Sequence, residues 1–260
     1  MRQRIITGII MILVLGPTIF IGGPVFNGVI AFLCIVGITE ILRMAKIDRT
    51  TFPSIITYIA LLSIIFNDQL SSYIPSQLNQ AFVPLLSIMV LLVSTVLIES
   101  YQFTKAATSV LAMFYLGLGG YAAIRIRGEN FPLLIFILIV VFSTDIGAYF
   151  IGSKIGKNKL APKLSPNKTI EGAVGGVLLS FILAALYLNF FTFHYSYLIM
   201  LILSIVLSIT GQLGDLVASK LKRHYMVKDA GTIFPGHGGV LDRFDSVLFT
   251  LAMAIILGIV

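Results

Sequence analysis

Apolar runs that are long enough to cross a lipid bilayer recur along almost the whole chain of 260 residues. A transmembrane helix needs roughly 20 consecutive, mainly apolar residues. Charged residues make up only 11% of the chain, whereas a typical soluble domain has about 25%. Because so few charged side chains could not cover a surface exposed to water, the sequence predicts an all-α integral membrane protein.

Nine of these runs are predicted transmembrane helices. They cover approximately residues 5–22, 25–45, 53–67, 82–99, 104–124, 131–152, 170–192, 196–218 and 244–260. The third run is short enough to be re-entrant. The first run resembles a signal peptide, but no small-x-small cleavage site follows, so we expect it to be retained. We predict one polytopic domain over residues 1–260, with N-terminal spans in 1–125 and a catalytic half in 126–260.

In this predicted topology, most Lys and Arg residues lie on one side of the membrane. If the N-terminus is cytoplasmic, all 18 Lys and Arg residues except Arg125 and Arg127 fall in cytoplasmic segments. The positive-inside rule therefore favours a cytoplasmic N-terminus. The net charge of +7 is explained by topology and by attraction to anionic head groups. No basic, aromatic-rich segment indicates nucleic-acid binding, and the single cysteine, Cys34, cannot form an intramolecular disulfide.

The first of two unusually polar segments begins inside the sixth span. Asp145 lies about fourteen residues into that span, where a carboxylate is costly unless it lines a polar cavity. Farther along, Ser165 and Pro166 are typical of a helix start, with Ser as the N-cap and Pro at the first helical position. Asn167 and Lys168 would then lie in the first turn, where N–H groups and a lysine suit a phosphate. An ordinary capped helix is the alternative.

The second polar segment, residues 214–245, is denser. Asp215, Ser219 and Lys222 have i, i+4, i+7 spacing and share one face if the eighth span continues as a helix. Asp242 and Asp245, spaced i, i+3, would lie on one face at the cytoplasmic start of the last span. Between these groups lie further charged residues and a glycine-rich loop, namely Arg223, Lys228, Asp229, Gly236, His237, Gly238, Gly239 and Arg243.

This mixture of carboxylates, cations and glycines predicts a site for a metal and phosphates at the cytoplasmic boundary. Mg²⁺ prefers oxygen ligands and usually binds one or two carboxylates plus substrate phosphates. Lys, Arg and glycine N–H groups would hold the remaining phosphate charge. A solvated loop whose charges pair internally is the alternative. His237 either acts as a general acid or base or stabilises the glycine turn, and we favour the turn.

The order and spacing of these residues resemble the signature of phosphatidate cytidylyltransferases (CDP-diacylglycerol synthases). The match runs through Ser219-Lys220-Leu221-Lys222-Arg223, Lys228-Asp229, Pro235-Gly236-His237-Gly238-Gly239 and Leu241-Asp242-Arg243-Phe244-Asp245. Asp145 and the segment from Ser165 to Gly172 are similar to a second segment of that family. The multi-span architecture also fits the family over the whole chain.

The resemblance implies that CTP and phosphatidic acid react to give CDP-diacylglycerol and pyrophosphate in the presence of Mg²⁺. It places the metal-binding acids on Asp215 and Asp242 and leaves room for a second, monovalent or divalent cation. It also implies a homodimer with a cavity that faces the cytoplasm. With a bacterial source, the location would be the plasma membrane.

The remaining residues have roles in this chemistry. A phosphomonoester has a second pKa of about 6 and is largely dianionic at neutral pH, so it needs charge neutralisation and in-line placement rather than a general base. We expect Asp229 and Asp245 to support the metal or to orient cations. The predicted phosphate-binding cations are Lys222, Arg223, Lys228 and Arg243. The predicted nucleotide or lipid-phosphate contacts are Asp145, Asn167, Lys168, Ser219, Gly236, Gly238 and Gly239.

Two other functions fit parts of the sequence. A CTP-dependent polyprenol or phytol kinase would transfer the γ-phosphoryl group to an alcohol, and the complete signature argues against it. A cation-coupled transporter would use Asp145 and Asp215 as ion sites, but no internal repeat is visible. The product of the reaction separates these functions.

Overall fold

The computed structural model describes residues 2–71, 73, 81–234, 236 and 238–259. In these residues the chain forms helices and one small sheet. The helices are α1 (Arg2–Ile21), α2 (Gly23–Met44), α3 (Phe52–Ile65), α4 (Asn67–Leu70), α5 (Phe82–Leu97), α6 (Phe103–Glu129), α7 (Phe131–Ile155), α8 (Ile170–Leu188), α9 (Tyr197–His224) and α10 (Leu241–Ile256). The sheet consists of β1 (Lys159–Ala161) and β2 (Ser165–Thr169).

Several of these helices have the length and composition of membrane spans. Within the described residues, α2, α6, α7, α8 and α9 are long and apolar enough to cross a membrane. Helices α3 and α5 are apolar but shorter, with 14 and 16 residues. The predicted class of an all-α membrane protein is confirmed. The antiparallel β1–β2 hairpin between α7 and α8 was not predicted.

Helix α6 continues to Glu129, beyond the predicted end at residue 124. Arg125 and Arg127 therefore belong to its final turns rather than to a loop. Arg125 Nε lies 3.1 Å from Glu129 Oε1, an i, i+4 ion pair, and the Arg127 guanidinium lies 4.5 Å from the centroid of the Phe131 ring. Hydropathy alone missed this end because the final turns contain charged residues that are good helix formers.

The predicted helix start at Ser165 and Pro166 is wrong. Residues 165–169 form β2, which pairs with β1 in the register Lys159↔Thr169 and Ala161↔Ser165. Helix α8 begins after Thr169, whose Oγ1 accepts a hydrogen bond of 3.1 Å from the Gly172 N–H. An extended Thr with this bond is a good N-cap, so Asn167 and Lys168 lie on a strand instead of in the first helical turn.

The chain divides into two compact units, and each has its own apolar core. Unit 1 comprises Met1–Ile124 and Asp229–Arg243, and unit 2 comprises Arg125–Lys228 and Phe244–Val260. In unit 1, fully buried side chains from the helices form the core, including Ile38, Leu42, Leu61, Ile65 and Leu116. In unit 2 the corresponding core includes Leu133, Phe136, Ile137, Val140 and Leu207.

In unit 2, helices α7 and α8 approach closely because glycines line their contact. A Cβ added at Gly176 would lie 2.6 Å from the Thr144 carbonyl oxygen, and one at Gly147 would lie 2.9 Å from the Gly175 carbonyl oxygen. Small residues at such positions let membrane helices pack backbone to backbone. The contact fixes the part of α7 that carries Asp145.

We expect Gly176→Ala to destabilise the protein, because the new methyl group would press on the backbone of α7. Overpacking of this kind costs about 1–3 kcal/mol, and each kcal/mol lowers Tm by roughly 2–4 °C for a chain of this size. Gly28→Ala in α2 is the control, since a Cβ there meets nothing within 4 Å. Thermal unfolding in detergent that gives the same Tm for both variants would contradict the close-packing account.

Candidate active site

Helix α9 continues through the polar residues that follow its apolar part, as the spacing of Asp215, Ser219 and Lys222 required. It ends at His224, where Val227 N–H donates to the Lys222 carbonyl at 3.0 Å and closes the helix. Ser219 Oγ donates to Asp215 Oδ1 at 3.3 Å, and Arg223 Nη1 donates to the Val227 carbonyl oxygen at 3.1 Å. The predicted polar face is therefore confirmed, and Arg223 also holds the chain segment that follows the helix.

Asp215 is the centre of a polar cluster within unit 2. Its Oδ2 forms an ion pair with Nζ of Lys168, which β2 presents from the hairpin. Both side chains are about one-third exposed. The carboxylates of Asp145 on α7 and Asp245 on α10 interact electrostatically with both partners, and Lys222 acts on Asp245 as well. We call these five residues the polar cluster.

Asp245 is the most buried acid of this cluster, with 6% of its surface exposed. Its Oδ1 accepts a hydrogen bond of 2.8 Å from the Ser246 N–H. Gly214 allows α9 to come close to α10 here, since an added Cβ would lie 2.6 Å from Phe249 Cβ and 3.1 Å from the Asp245 carbonyl oxygen. A glycine directly before Asp215 thus permits the approach that brings Asp215 and Asp245 together.

The glycine-rich loop that precedes α10 belongs to unit 1 and is closed by Asp242. Asp242 Oδ2 accepts hydrogen bonds from the N–H groups of Ala230 at 2.8 Å and Gly239 at 2.9 Å, which lie at the two ends of the loop. Gly236 and Gly238 have φ values of 78° and 86°, a conformation that favours glycine. The predicted residue His237 lies outside the described residues, as does the neighbouring Pro235.

Glu40 was missed by the sequence analysis, although it anchors the same loop. Its side chain is buried, Oε1 accepts from the Val240 N–H at 2.9 Å, and Oε2 accepts from the Leu241 N–H at 3.0 Å. A carboxylate at the first N–H groups of a helix is favoured by the helix dipole. Glu40 is the only acidic residue in the run 25–45, and an acid in such a run needs a partner; that signal could have identified it.

The two units divide the predicted site residues. Unit 2 contains Asp145, Asn167, Lys168, Asp215, Ser219, Lys222, Arg223, Lys228 and Asp245. Unit 1 contains Asp229, Gly236, Gly238, Gly239, Asp242 and Arg243. The structure joins five residues of unit 2 in the polar cluster and joins Asp242 to Gly239 in unit 1. Several others, including Asn167, Lys228, Asp229 and Arg243, are exposed.

The polar cluster has the chemistry of a site for a hard cation. Three carboxylates face two ammonium groups, which leaves an excess of negative charge. Among the described residues, no three Asp, Glu, His or Cys side chains are grouped closely enough to hold a metal by themselves. Mg²⁺ usually needs only one or two carboxylates and takes its other ligands from water and substrate phosphates. The donor set fits that mode of binding.

Comparison with known proteins gives a consistent match over the whole chain. Residues 2–260 match the model of the cytidylyltransferase family. The chain is 38% identical to the phosphatidate cytidylyltransferase of Bacillus subtilis (strain 168), covering 96% of this chain and 95% of the relative. It is also 38% identical to the enzyme of that name from Staphylococcus saprophyticus and 37% identical to that from Staphylococcus aureus (strain COL), each over 99% of this chain and 98% of the relative.

We expect Glu40→Gln to destabilise unit 1. Glutamine offers one oxygen acceptor, and its NH₂ group would face a second N–H donor, so one buried hydrogen bond to a charged group is lost. The expected cost is about 1–3 kcal/mol, measured as a lower Tm in detergent. Glu99→Gln is the matched control because Glu99 is exposed in the same unit. Equal Tm values for the two variants would refute the anchoring role of Glu40.

Proposed function

Because the chain belongs to the cytidylyltransferase family, we propose that it transfers the cytidylyl group of CTP to phosphatidic acid, giving CDP-diacylglycerol and pyrophosphate for phospholipid biosynthesis. The observation that carries this proposal is the polar cluster around the Lys168–Asp215 pair. It lies in a chain with helices apolar enough to span a membrane. A site of this kind suits one substrate that stays in the bilayer and another that comes from water.

The reaction joins two anions. An oxygen of the lipid phosphate forms a bond to the α-phosphorus of CTP, and the bond from that phosphorus to the bridging oxygen of the β-phosphate breaks. Pyrophosphate leaves with that oxygen and the electron pair. Because the attacking phosphate is already largely ionised at neutral pH, the protein must neutralise charge and align the substrates rather than remove a proton.

We assign the charge neutralisation to the cations of both polar segments and to Mg²⁺. When bound, Mg²⁺ would offset negative charge on the phosphates and help to orient them. Asp215 is the proposed ligand from the polar cluster, with Asp245 and Asp145 supporting the charge balance. The resemblance assigns Asp242 the same role and Asp229 a supporting one. Lys168, Lys222, Arg223, Lys228 and Arg243 would bind phosphate oxygens, and a second cation fits the excess negative charge.

The finer topology is also a proposal. We propose nine transmembrane helices with a cytoplasmic N-terminus, because this orientation places all Lys and Arg residues except Arg125 and Arg127 on the cytoplasmic side. The hairpin and the glycine-rich loop then face the cytoplasm, from which CTP arrives. A homodimer in the plasma membrane follows from the resemblance.

Isotope transfer tests the proposed reaction directly. The purified protein would receive phosphatidic acid in mixed micelles, Mg²⁺, and CTP labelled at either the α- or the γ-phosphate. We expect the α-label in the lipid and the γ-label in pyrophosphate, because the α-phosphorus is the centre attacked. Appearance of the γ-label in a supplied lipid alcohol would identify a kinase. Transfer of neither label by folded protein would contradict the proposal.

Asp242→Asn separates a role in charge from a role in loop structure. An asparagine Oδ1 can accept the same two N–H groups as the present Oδ2 of Asp242, so the loop remains closed while the negative charge is lost. We expect turnover to fall about 10- to 100-fold, as with loss of groups that support a metal, with Tm nearly unchanged. Asp242→Ala should lower both turnover and Tm. Near-normal turnover of Asp242→Asn would remove Asp242 from the mechanism.

A further inference from the structure

Unit 1 contains a cleft whose cationic residues have no role assigned in the proposed mechanism. It has a volume of about 760 Å³ and lies between the C-terminal half of α2, the turn that follows it, and residues 231–233 of the glycine-rich loop. This volume is in the range of sites that bind small molecules. Three exposed cations, Arg43, Lys46 and Arg49, line the cleft.

The acids beside the cleft offset only part of its positive charge: Glu40 interacts electrostatically with Arg43 and Asp48 with Arg49, and among the described lining residues no acid is left to balance the third cation. Glu40 points both oxygens at the N–H groups of Val240 and Leu241. Asp48 accepts from the N–H and Oγ1 of Thr50 at 3.0 and 2.9 Å, and these bonds lower the pKa of its carboxyl group. The ion pairs found among the described residues involve none of the three cations, so they can bind an anion from outside.

Lys46 occupies a backbone position where a glycine is usual. Its φ is 55°, its N–H donates to the Arg43 carbonyl at 3.1 Å, and Ile47 N–H donates to the Leu42 carbonyl at 2.9 Å. This pair of bonds is the Schellman ending of a helix, in which glycine avoids a steric cost. A lysine in this conformation places its ammonium group at the cleft at some cost in backbone energy, and residues held in such conformations cluster at functional sites.

Part of the cleft lining is apolar, although other parts are charged. Val36, Ile47 and Ile233 supply aliphatic surface next to the cations. Helix α2, which forms one wall, is apolar enough to span a membrane, so its C-terminal end lies at head-group level if it does. A ligand that satisfies both surfaces has an anionic head and an apolar body.

We propose that this cleft binds the phosphate head group of phosphatidic acid, with Arg43, Lys46 and Arg49 as its anion contacts. Arginine matches phosphate oxygens with paired N–H donors, and lysine adds a point charge. CTP has no aliphatic chain that would contact the apolar part of the lining. The lipid also contacts the loop that Glu40 and Asp242 hold in place. The identity of the lipid rests on the proposed function, whereas the anionic head-group site rests on the cleft.

Ligand-induced stabilisation tests the site without turnover. Detergent-purified protein would be heated with dihexanoyl phosphatidate, dihexanoyl phosphatidylcholine, inorganic phosphate or CTP, in the absence of divalent cations. We expect dihexanoyl phosphatidate to raise Tm more than the other lipid or inorganic phosphate at equal concentration, because only it offers both a phosphomonoester and an apolar body. A ligand that binds only the folded state stabilises it by RT ln(1 + [L]/Kd), so at equal concentration the tighter ligand raises Tm more.

Variants assign that stabilisation to the cleft. Arg43→Gln, Arg49→Gln and Lys46→Gly should each weaken phosphatidate binding about 10-fold, as expected for a charge-assisted hydrogen bond, and leave the CTP response unchanged. Lys46→Gly also removes the steric cost of the left-handed backbone at this position, so the variant should be no less stable than the wild type. A loss of phosphatidate binding in this variant therefore cannot come from unfolding. Lys105→Gln is the control, since Lys105 is in unit 1, on the same predicted side, and outside the cleft. In turnover assays the KM for phosphatidate should rise and that for CTP should not.

Several results would overturn the proposal. Unchanged phosphatidate affinity in the three variants would mean that these cations only set the topology. Loss of the CTP response instead would make the cleft a nucleotide site, and equal stabilisation by inorganic phosphate would exclude a lipid ligand. These results are distinct from failure of the proposed function. If the proposed cytidylyl transfer is wrong, no label from CTP would reach the lipid, although phosphatidate would still bind the wild-type cleft.

Discussion

Acidic side chains on otherwise apolar helices are the constraint on which the two polar centres of this protein depend. A carboxylate on such a helix is costly unless other groups compensate its charge. Glu40 meets this need with the backbone N–H groups that begin α10. Asp215 meets it with the ammonium group of Lys168. The N–H groups that bind Glu40 are part of the backbone, so this contact anchors a loop. The Lys168 side chain can move, so its contact with Asp215 can be exchanged for contacts with a cation and phosphates.

Glycine residues make both arrangements sterically possible. An added Cβ at Gly231 or Gly239 would lie 2.4 Å from Glu40 Oε1, so the loop can wrap closely around this carboxylate only if both residues are glycine. At Gly214 a side chain would collide with Phe249, and the approach of Asp245 to Asp215 would be lost. The glycines near the acids therefore have a packing role in addition to any contact of their N–H groups with phosphate.

The sequence predicted the membrane class, the helical face of Asp215, Ser219 and Lys222, and the family, because apolar length, helical period and an ordered motif are local properties. Other features were not predictable locally. The hairpin that presents Lys168 depends on pairing with β1, and Ser165-Pro166 is also a good helix start in isolation. Glu40 acts across 200 positions of sequence, so its partners became visible only in the fold.

Binding of Mn²⁺, followed by electron paramagnetic resonance in the presence of CTP, tests most directly the claim that the polar cluster binds a divalent cation. Wild-type protein and Asp68→Asn, whose acid accepts a hydrogen bond from Tyr121 rather than belonging to the cluster, should bind Mn²⁺ with similar affinity. Asp215→Asn should bind it at least about 10-fold more weakly. Equal Mn²⁺ affinity of Asp215→Asn and the wild type would contradict the account.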